Sequence, residues 1–476
     1  MSPLSLTAIQ IRNPRPAAKT RRLFDGGGLY LVFLAIGASA QADEFTTLQS
    51  DTDRLLDHLH ERGDFSGAVM IGVDDLVVYE GAFGMADQTR PFTLDSAADG
   101  ASLAKTVTAA VIWRLIGNGV VALDDPVHEH ISEFPYEGVT IRHLLGHTAG
   151  LPDYGAMQPL LEFGEVAGNA KLQEYMGTIS PRPMHEPGSA FSYCNTCYDT
   201  LALLAERVTG ASFNDLAIKD YLGGLGVVSA FIRSVKFEDW RQPRTLGFSS
   251  SLPDAEVVDV FDNEAFYGGS NIYFTVRDLH SWAKAWVDQR ALPASVYQRA
   301  QLPARIGEYD SSLSLSSWYC TSAGDRCYFT GHLQGFYSFV YWDVSRCLTV
   351  VFVSNNSMAP PLQPWLMRSL VSIAEGRSAE ALPIVPPKEK DVDVAAIRGL
   401  YRLPDAGDVR IDVSQAEPIL RVDQGPTYRM YPVGFGILYV PGKDAYVGTE
   451  TSNDSSSPRL TWSSVFINTK GLRLQR

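Results

Sequence analysis

Hydrophobic periodicity changes character along this chain in an order that few architectures accommodate. Ser50–His60 carries Leu55, Leu56 and Leu59 at helical spacing, and Gly67–Phe83 reads as two strands around Asp74-Asp75. Leu103–Ile116 is rich in Ala and Val, free of Gly and Pro, and stopped by Gly117-Asn118-Gly119, which predicts a helix with Ser102 at its start. The middle of the chain is helical and loop-rich, with a helix over Asp199–Val208 ended by Gly210. β-rich runs return at Gly335–Trp342 and Leu348–Ser354, separated by Asp343-Val344-Ser345-Arg346, and Trp365–Ala374 goes back to helical spacing. That order predicts an α+β fold, in which an antiparallel sheet flanked by helices joins an all-helical lobe.

A chain of 476 residues exceeds what one core usually fills. Residues 43–379 are expected to form one large domain. Pro383, Pro386, Pro387 and Lys388-Glu389-Lys390 mark residues 380–394 as a linker. Residues 395–476 carry short alternating runs such as Val409-Arg410-Ile411-Asp412-Val413, which predicts a small C-terminal β domain.

Residues 1–42 read as a signal peptide. Arg12, Arg15, Lys19, Arg21 and Arg22 precede the apolar run Gly28–Gly37, and cleavage is expected after Ala38-Ser39-Ala40 or after Ala40-Gln41-Ala42. The apolar run is too short to span a bilayer, so the mature chain is expected to have no transmembrane segment and to be exported, periplasmic or secreted. Thr20-Arg21-Arg22-Leu23-Phe24 resembles a twin-arginine signal, and an ordinary Sec signal fits equally.

An exported chain can form disulfides. Of five cysteines, Cys320 and Cys327 flank a turn-like stretch and suit a hairpin disulfide, while Cys194-x-x-Cys197 fits a local disulfide or two buried thiols. No second pair stands at metal-site spacing, so zinc is not expected. Acids outnumber bases by 54 to 40, and the deficit of positive charge is spread along the chain rather than collected in a tail, which argues against nucleic acid as a partner.

Ser102-Leu103-Ala104-Lys105 places a hydroxyl and an ammonium on one face of the predicted helix. A serine hydroxyl is a poor nucleophile until a neighbouring base takes its proton, and a lysine can serve as that base or as a relay. The helix start favours negative charge developing there. In Tyr193-Cys194-Asn195, a tyrosine beside a lysine can shuttle protons and an asparagine amide can hold an acyl carbonyl. Taken singly, each of these is more commonly a cap, a surface charge or a packed ring.

Together and in order they resemble the serine β-lactamase-related family of class C β-lactamases, D-alanyl-D-alanine carboxypeptidases, D-aminopeptidases and family VIII esterases. The resemblance runs from about Phe65 to Ala374. Ser102–Lys105 is similar to the family's first motif and Tyr193–Asn195 to its second. Leu123-Asp124-Asp125-Pro126, Thr140–Pro152, Gly268-Gly269 and Asp278-Leu279 are similar to scaffold segments. The resemblance implies the β-lactamase/transpeptidase-like fold. His143 and His147 stand at metal-like spacing, but the family uses no metal there, and packing or loop anchoring is the expected role.

The third family motif, Lys-Thr-Gly or His-x-Gly, is where the chain departs. Counted without gaps from Gly335-Phe336, it falls on Phe329-Thr330-Gly331, with phenylalanine in place of the cation; a shifted register would put His332 there and Gln334 at the glycine. The gapless register is preferred. A ring at 329 supplies no field for a substrate carboxylate, but the backbone N–H of His332, with that of Ser102, would still form an oxyanion hole.

The expected function is therefore a serine acyl hydrolase with an acyl-enzyme on Ser102. Lys105 and Tyr193 would handle protons, and Asn195 would position the acyl group. Phe329, Thr330, Gly331 and His332 would line the substrate and oxyanion side. The partner is a small-molecule or peptide substrate with an ester or amide bond, and no cofactor or metal is implied. An esterase or D-amino-acid peptidase is favoured over a β-lactamase or D-Ala-D-Ala carboxypeptidase, and a catalytically silent binding or sensing homologue is the rival from another class. A further rival makes the C-terminal β domain a binding module, with exposed-looking Tyr401 and Trp462 as its only support.

Overall fold

The computed structural model describes residues 27–152, 168–233, 244–259, 265–383, 385, 394–403, 407–414, 417–422, 425–434, 436–450, 459–466 and 468–473. Two compact units result, Met1–Thr46 and Thr47–Arg476. Helix α1 (Gly27–Glu61) includes the apolar run 28–37 and the predicted cleavage positions, whereas the basic cluster and the twin-arginine-like residues lie outside the described residues. Most of the predicted linker, residues 384 and 386–393, lies outside them too. Among the described residues no helix is long and apolar enough to cross a membrane.

Strands β1 (Gly67–Val73) and β2 (Leu76–Phe83) form the expected hairpin. They open an eight-stranded antiparallel sheet, which is completed by strands from the second half of the chain. A small three-stranded sheet joins β3 (Ala98–Asp99), β4 (Phe231–Ile232) and β5 (Ile272–Phe274). The large sheet continues with β6 (Pro303–Ile306), β7 (Tyr309–Ser314), β8 (Tyr319–Cys320), β9 (Arg326–Leu333), β10 (Phe336–Asp343) and β11 (Leu348–Ser354). Its order is β2-β1-β11-β10-β9-β8-β7-β6. Every residue of β10 and β11 is buried, Ser338, Asp343, Thr349 and Ser354 included, as in strands covered on both faces.

The helical lobe holds α2 (Ala104–Gly117), α3 (Ile141–Leu145), α4 (Asn169–Ile179) and α5 (Asn195–Thr209). Helix α5 begins four residues before the predicted Asp199, because Cys194 caps it by accepting from the Cys197 N–H. It ends as expected on Gly210, at φ 72°, a left-handed conformation that glycine adopts without strain. Helix α6 (Val276–Val287) packs on β1, β10 and β11, followed by α7 (Ala294–Ala300) and α8 (Leu362–Ala374). Trp282 and Trp286 of α6 meet Trp318 and Trp342 in one aromatic cluster, with Trp286 stacked on Trp342 at 5.7 Å.

Nine described strands between Gly399 and Arg473 form a second antiparallel sheet within the same compact unit as the first. The Arg368 guanidinium of α8 anchors it, donating to the Ser463 hydroxyl at 2.8 Å and the Ser464 carbonyl at 2.7 Å while paired with Glu380. Tyr401 and Trp462, which look exposed in the sequence, are buried, and the Tyr401 hydroxyl is bonded to the Ile397 carbonyl. Their face of the sheet is core, which removes their support for a binding module.

Candidate active site

Ser102 is set up by an unusual backbone. Strand β3 ends at Asp99, whose carboxylate accepts from the Ala101 N–H at 2.8 Å, and Gly100 N–H donates to the Ile272 carbonyl at 2.9 Å. Ala101 is thereby held at φ 46°, a conformation that alanine rarely adopts and that persists only where the surroundings enforce it. The chain then turns through a 3-10 segment, Ala101–Leu103, into α2. Ser102 is half-buried at the head of this helix, where the aligned N–H groups favour negative charge.

One turn on, Lys105 is fully buried. Its ammonium donates to Ser102 Oγ at 3.2 Å, Asn195 Oδ1 at 2.8 Å and the Gly269 carbonyl at 2.7 Å. Three acceptors thus meet a group with three N–H donors, which is how an ammonium is kept out of water. The Gly269 carbonyl is held in place through its own N–H, which donates to Asp199 Oδ1 at 3.0 Å. The Tyr193 ring lies 4.9 Å from the Lys105 ammonium.

The Tyr193 ring is stacked on His147 at 4.6 Å, nearly parallel. His147 Nδ1 accepts the Cys194 N–H at 2.9 Å, and its carbonyl accepts the Ser192 N–H at 2.9 Å, so one buried histidine fixes the segment on both sides of Tyr193. Burial, reinforced by the charge of Lys105, holds the imidazole well below its usual pKa and therefore neutral. This is the loop anchor expected of His147, although its stacking on Tyr193 has no sequence signal. Among the described residues no group of three or more His, Cys, Asp and Glu could hold a metal ion. Cys194 and Cys197 form a disulfide that staples the turn between Tyr193 and α5, and Cys320–Cys327 closes the β8–β9 hairpin; Cys347 is free and exposed.

Strand β9 passes directly over the serine turn. A Cβ at Gly331 would stand 1.9 Å from the Gly100 carbonyl oxygen, and Ser338, paired with Gly331 across the ladder, donates to that oxygen at 2.8 Å. Only glycine fits at this crossing. Gln334, the residue that the shifted register puts in the glycine's place, is exposed in the turn beyond the strand. Phe329 shares the strand face of Gly331 and is buried, with its ring stacked on Tyr319 at 5.6 Å. Thr330 is half-buried and His332 exposed. Gly331→Ala is expected to push β9 off the turn, costing about 1–3 kcal/mol as overpacking does and lowering turnover with it. Unaltered urea unfolding and turnover in that variant would contradict the crossing.

A sheet flanked by helices, with a serine-lysine pair at the head of a lobe helix and a glycine strand across it, defines the β-lactamase/transpeptidase-like fold. A family model described as beta-lactamase matches residues 52–364, and the chain belongs to that family of serine hydrolases. It is 35% identical over 164 residues to a penicillin-binding protein of Bacillus subtilis (strain 168), a match covering 34% of this chain and 36% of that protein. It is 29% identical over 325 residues to a D-aminopeptidase of Cereibacter sphaeroides, covering 65% of this chain and 61% of that protein. The octameric penicillin-binding protein homologue from Pyrococcus abyssi shares the fold with a TM-score of 0.60 at 17% identity, over 89% of this chain and 99% of that one.

Proposed function

We propose that the chain is an exported serine acyl hydrolase of the esterase or D-amino-acid peptidase type. The observation that carries this reading is the buried Lys105 ammonium, 3.2 Å from Ser102 Oγ and 2.8 Å from Asn195 Oδ1. Tyr193, reacting as its phenolate beside the Lys105 ammonium, takes the Ser102 proton as Oγ bonds to the substrate carbonyl carbon. The developing oxyanion is held by the N–H groups of Ser102 and His332 while Asn195 steadies the acyl group. Collapse breaks the bond to the leaving oxygen or nitrogen, which takes the proton from Tyr193. Water then adds to the acyl carbon, passing its proton along the same route, and the Oγ–acyl bond breaks to release the acid.

Export is supported by the basic and apolar start of the chain and by two disulfides, which persist in oxidising compartments. The preference for esters or D-amino-acid amides rests on Phe329, a neutral ring where relatives in the resembling family carry a cation. The test is a panel of p-nitrophenyl esters, D-amino-acid p-nitroanilides and nitrocefin. Esters or D-amino-acid amides are expected to exceed nitrocefin in kcat/KM by about tenfold or more, the value of one charge-assisted hydrogen bond. Nitrocefin as the best substrate would overturn the preference.

A further inference from the structure

The second sheet brings a charged side chain toward strand β9. Its turn Pro441–Lys443 is held by the Tyr319 hydroxyl, which donates to the Pro441 carbonyl, and the Tyr319 ring stacks on Phe329. Tyr428, from the same sheet, packs against Phe191 at 6.2 Å, two residues before Tyr193. Burial, then the nearby Asp444, Tyr193 and Tyr428, push the Tyr319 phenol above its usual pKa.

Within that neighbourhood Lys443 has cationic charge without an anion. It is half-buried, its ammonium donates to the neutral Ser312 hydroxyl at 2.9 Å and lies 5.2 Å from the centre of the Tyr428 ring, and no carboxylate among the described residues is within ion-pair distance. The adjoining Asp444 is buried and accepts from the Tyr439 hydroxyl at 2.7 Å. The Tyr428 hydroxyl, in a residue 1% exposed, has no hydrogen-bond partner among the described residues. Burial disfavours the charged form of Lys443, a cost that an anion brought to the ammonium relieves.

We propose that Lys443 binds a carboxylate of the substrate, so that this hydrolase selects acyl substrates bearing a remote negative charge. The inference rests on the hydrolase reading above and narrows it. Because the Tyr319 ring stands between Phe329 and the turn, the cation is set back from the position beside Ser102. The carboxylate it holds is therefore several bonds from the scissile carbonyl, unlike that of a β-lactam.

The test compares matched esters with the full chain: mono-p-nitrophenyl adipate against p-nitrophenyl hexanoate, and 4-carboxyphenyl butyrate against phenyl butyrate. In Lys443→Met the anionic-to-neutral ratio of kcat/KM is expected to fall by about tenfold or more for at least one pair, and Lys443→Arg is expected to keep most of it. Ratios that stay constant in both pairs, with thermal melting confirming the fold, would overturn the proposal. So would equal loss on both members of each pair, which marks a purely structural lysine. Should no Ser102-dependent turnover exist, the hydrolase reading fails by itself. Calorimetric titration of adipate and of 4-hydroxybenzoate into Ser102→Ala, with and without Lys443→Met, then decides the carboxylate site: binding lost with Lys443 supports it, and no binding to either chain overturns it.

Discussion

Ser102→Ala is expected to lose at least about four decades of ester turnover, the scale seen when a covalent nucleophile is removed from a preorganised site. The lost hydroxyl is the group to which Lys105 donates at 3.2 Å and which Ala101 presents at φ 46° on the head of α2. Alanine keeps the turn, the helix and the crossing of β9 at Gly331, so the melting temperature should change little while kcat collapses. Any oxyanion stabilisation by backbone N–H groups survives, but without a nucleophile no acyl-enzyme forms. A variant retaining more than a few per cent of wild-type kcat would mean that another residue carries the acyl group.

Tyr193→Phe is expected to lower kcat by about two to four decades, the usual contribution of positioned proton transfer. The change removes one hydroxyl and leaves the ring, so the stack on His147 at 4.6 Å and the anchoring of Cys194 remain. Folding should therefore be preserved, and KM should move far less than kcat, because the lost interaction serves the transition state. The measurement is kcat and KM on one p-nitrophenyl ester together with thermal melting. An unchanged kcat would transfer the base role to Lys105, which is buried and bonded directly to Ser102 Oγ.

Much of this arrangement is legible in the residues themselves, for identifiable reasons. Ser-x-x-Lys on a Gly-free run places both groups by helical spacing alone, and α2 delivers them to one point. The apolar and aromatic residues that dominate β10 and β11 mark both as strands. The start of helix α5 is less legible, because Asn195, Thr196 and Cys197 carry little helical signal and its start depends on a sulfur cap from Cys194. The Cys194–Cys197 pairing follows from that turn; spacing alone left thiols open.

What the sequence conceals are contacts between distant segments. Spacing prefers Phe329 in line with the motif over His332 shifted by three residues, but it cannot show the Gly100 carbonyl, which leaves no room for a Cβ at 331. The stack of His147 on Tyr193 and the acceptor role of the Gly269 carbonyl for Lys105 likewise join segments remote along the chain. Trp462 stands between Thr461 and Ser463 and Tyr401 precedes Arg402, so both look exposed, but burial of a sheet face depends on what packs over it. Lys443 and Tyr428 belong to the same class, since their place beside Ser312 and Phe191 is set by docking of the second sheet.

The most direct test of the central claim is mass spectrometry of the full chain after exposure to a fluorophosphonate. A single covalent adduct is predicted, mapped by peptide sequencing to Ser102 and absent from Ser102→Ala. Equal labelling of Ser102→Ala, or an adduct mapped to another residue of the wild-type chain, would contradict an acyl-enzyme on Ser102.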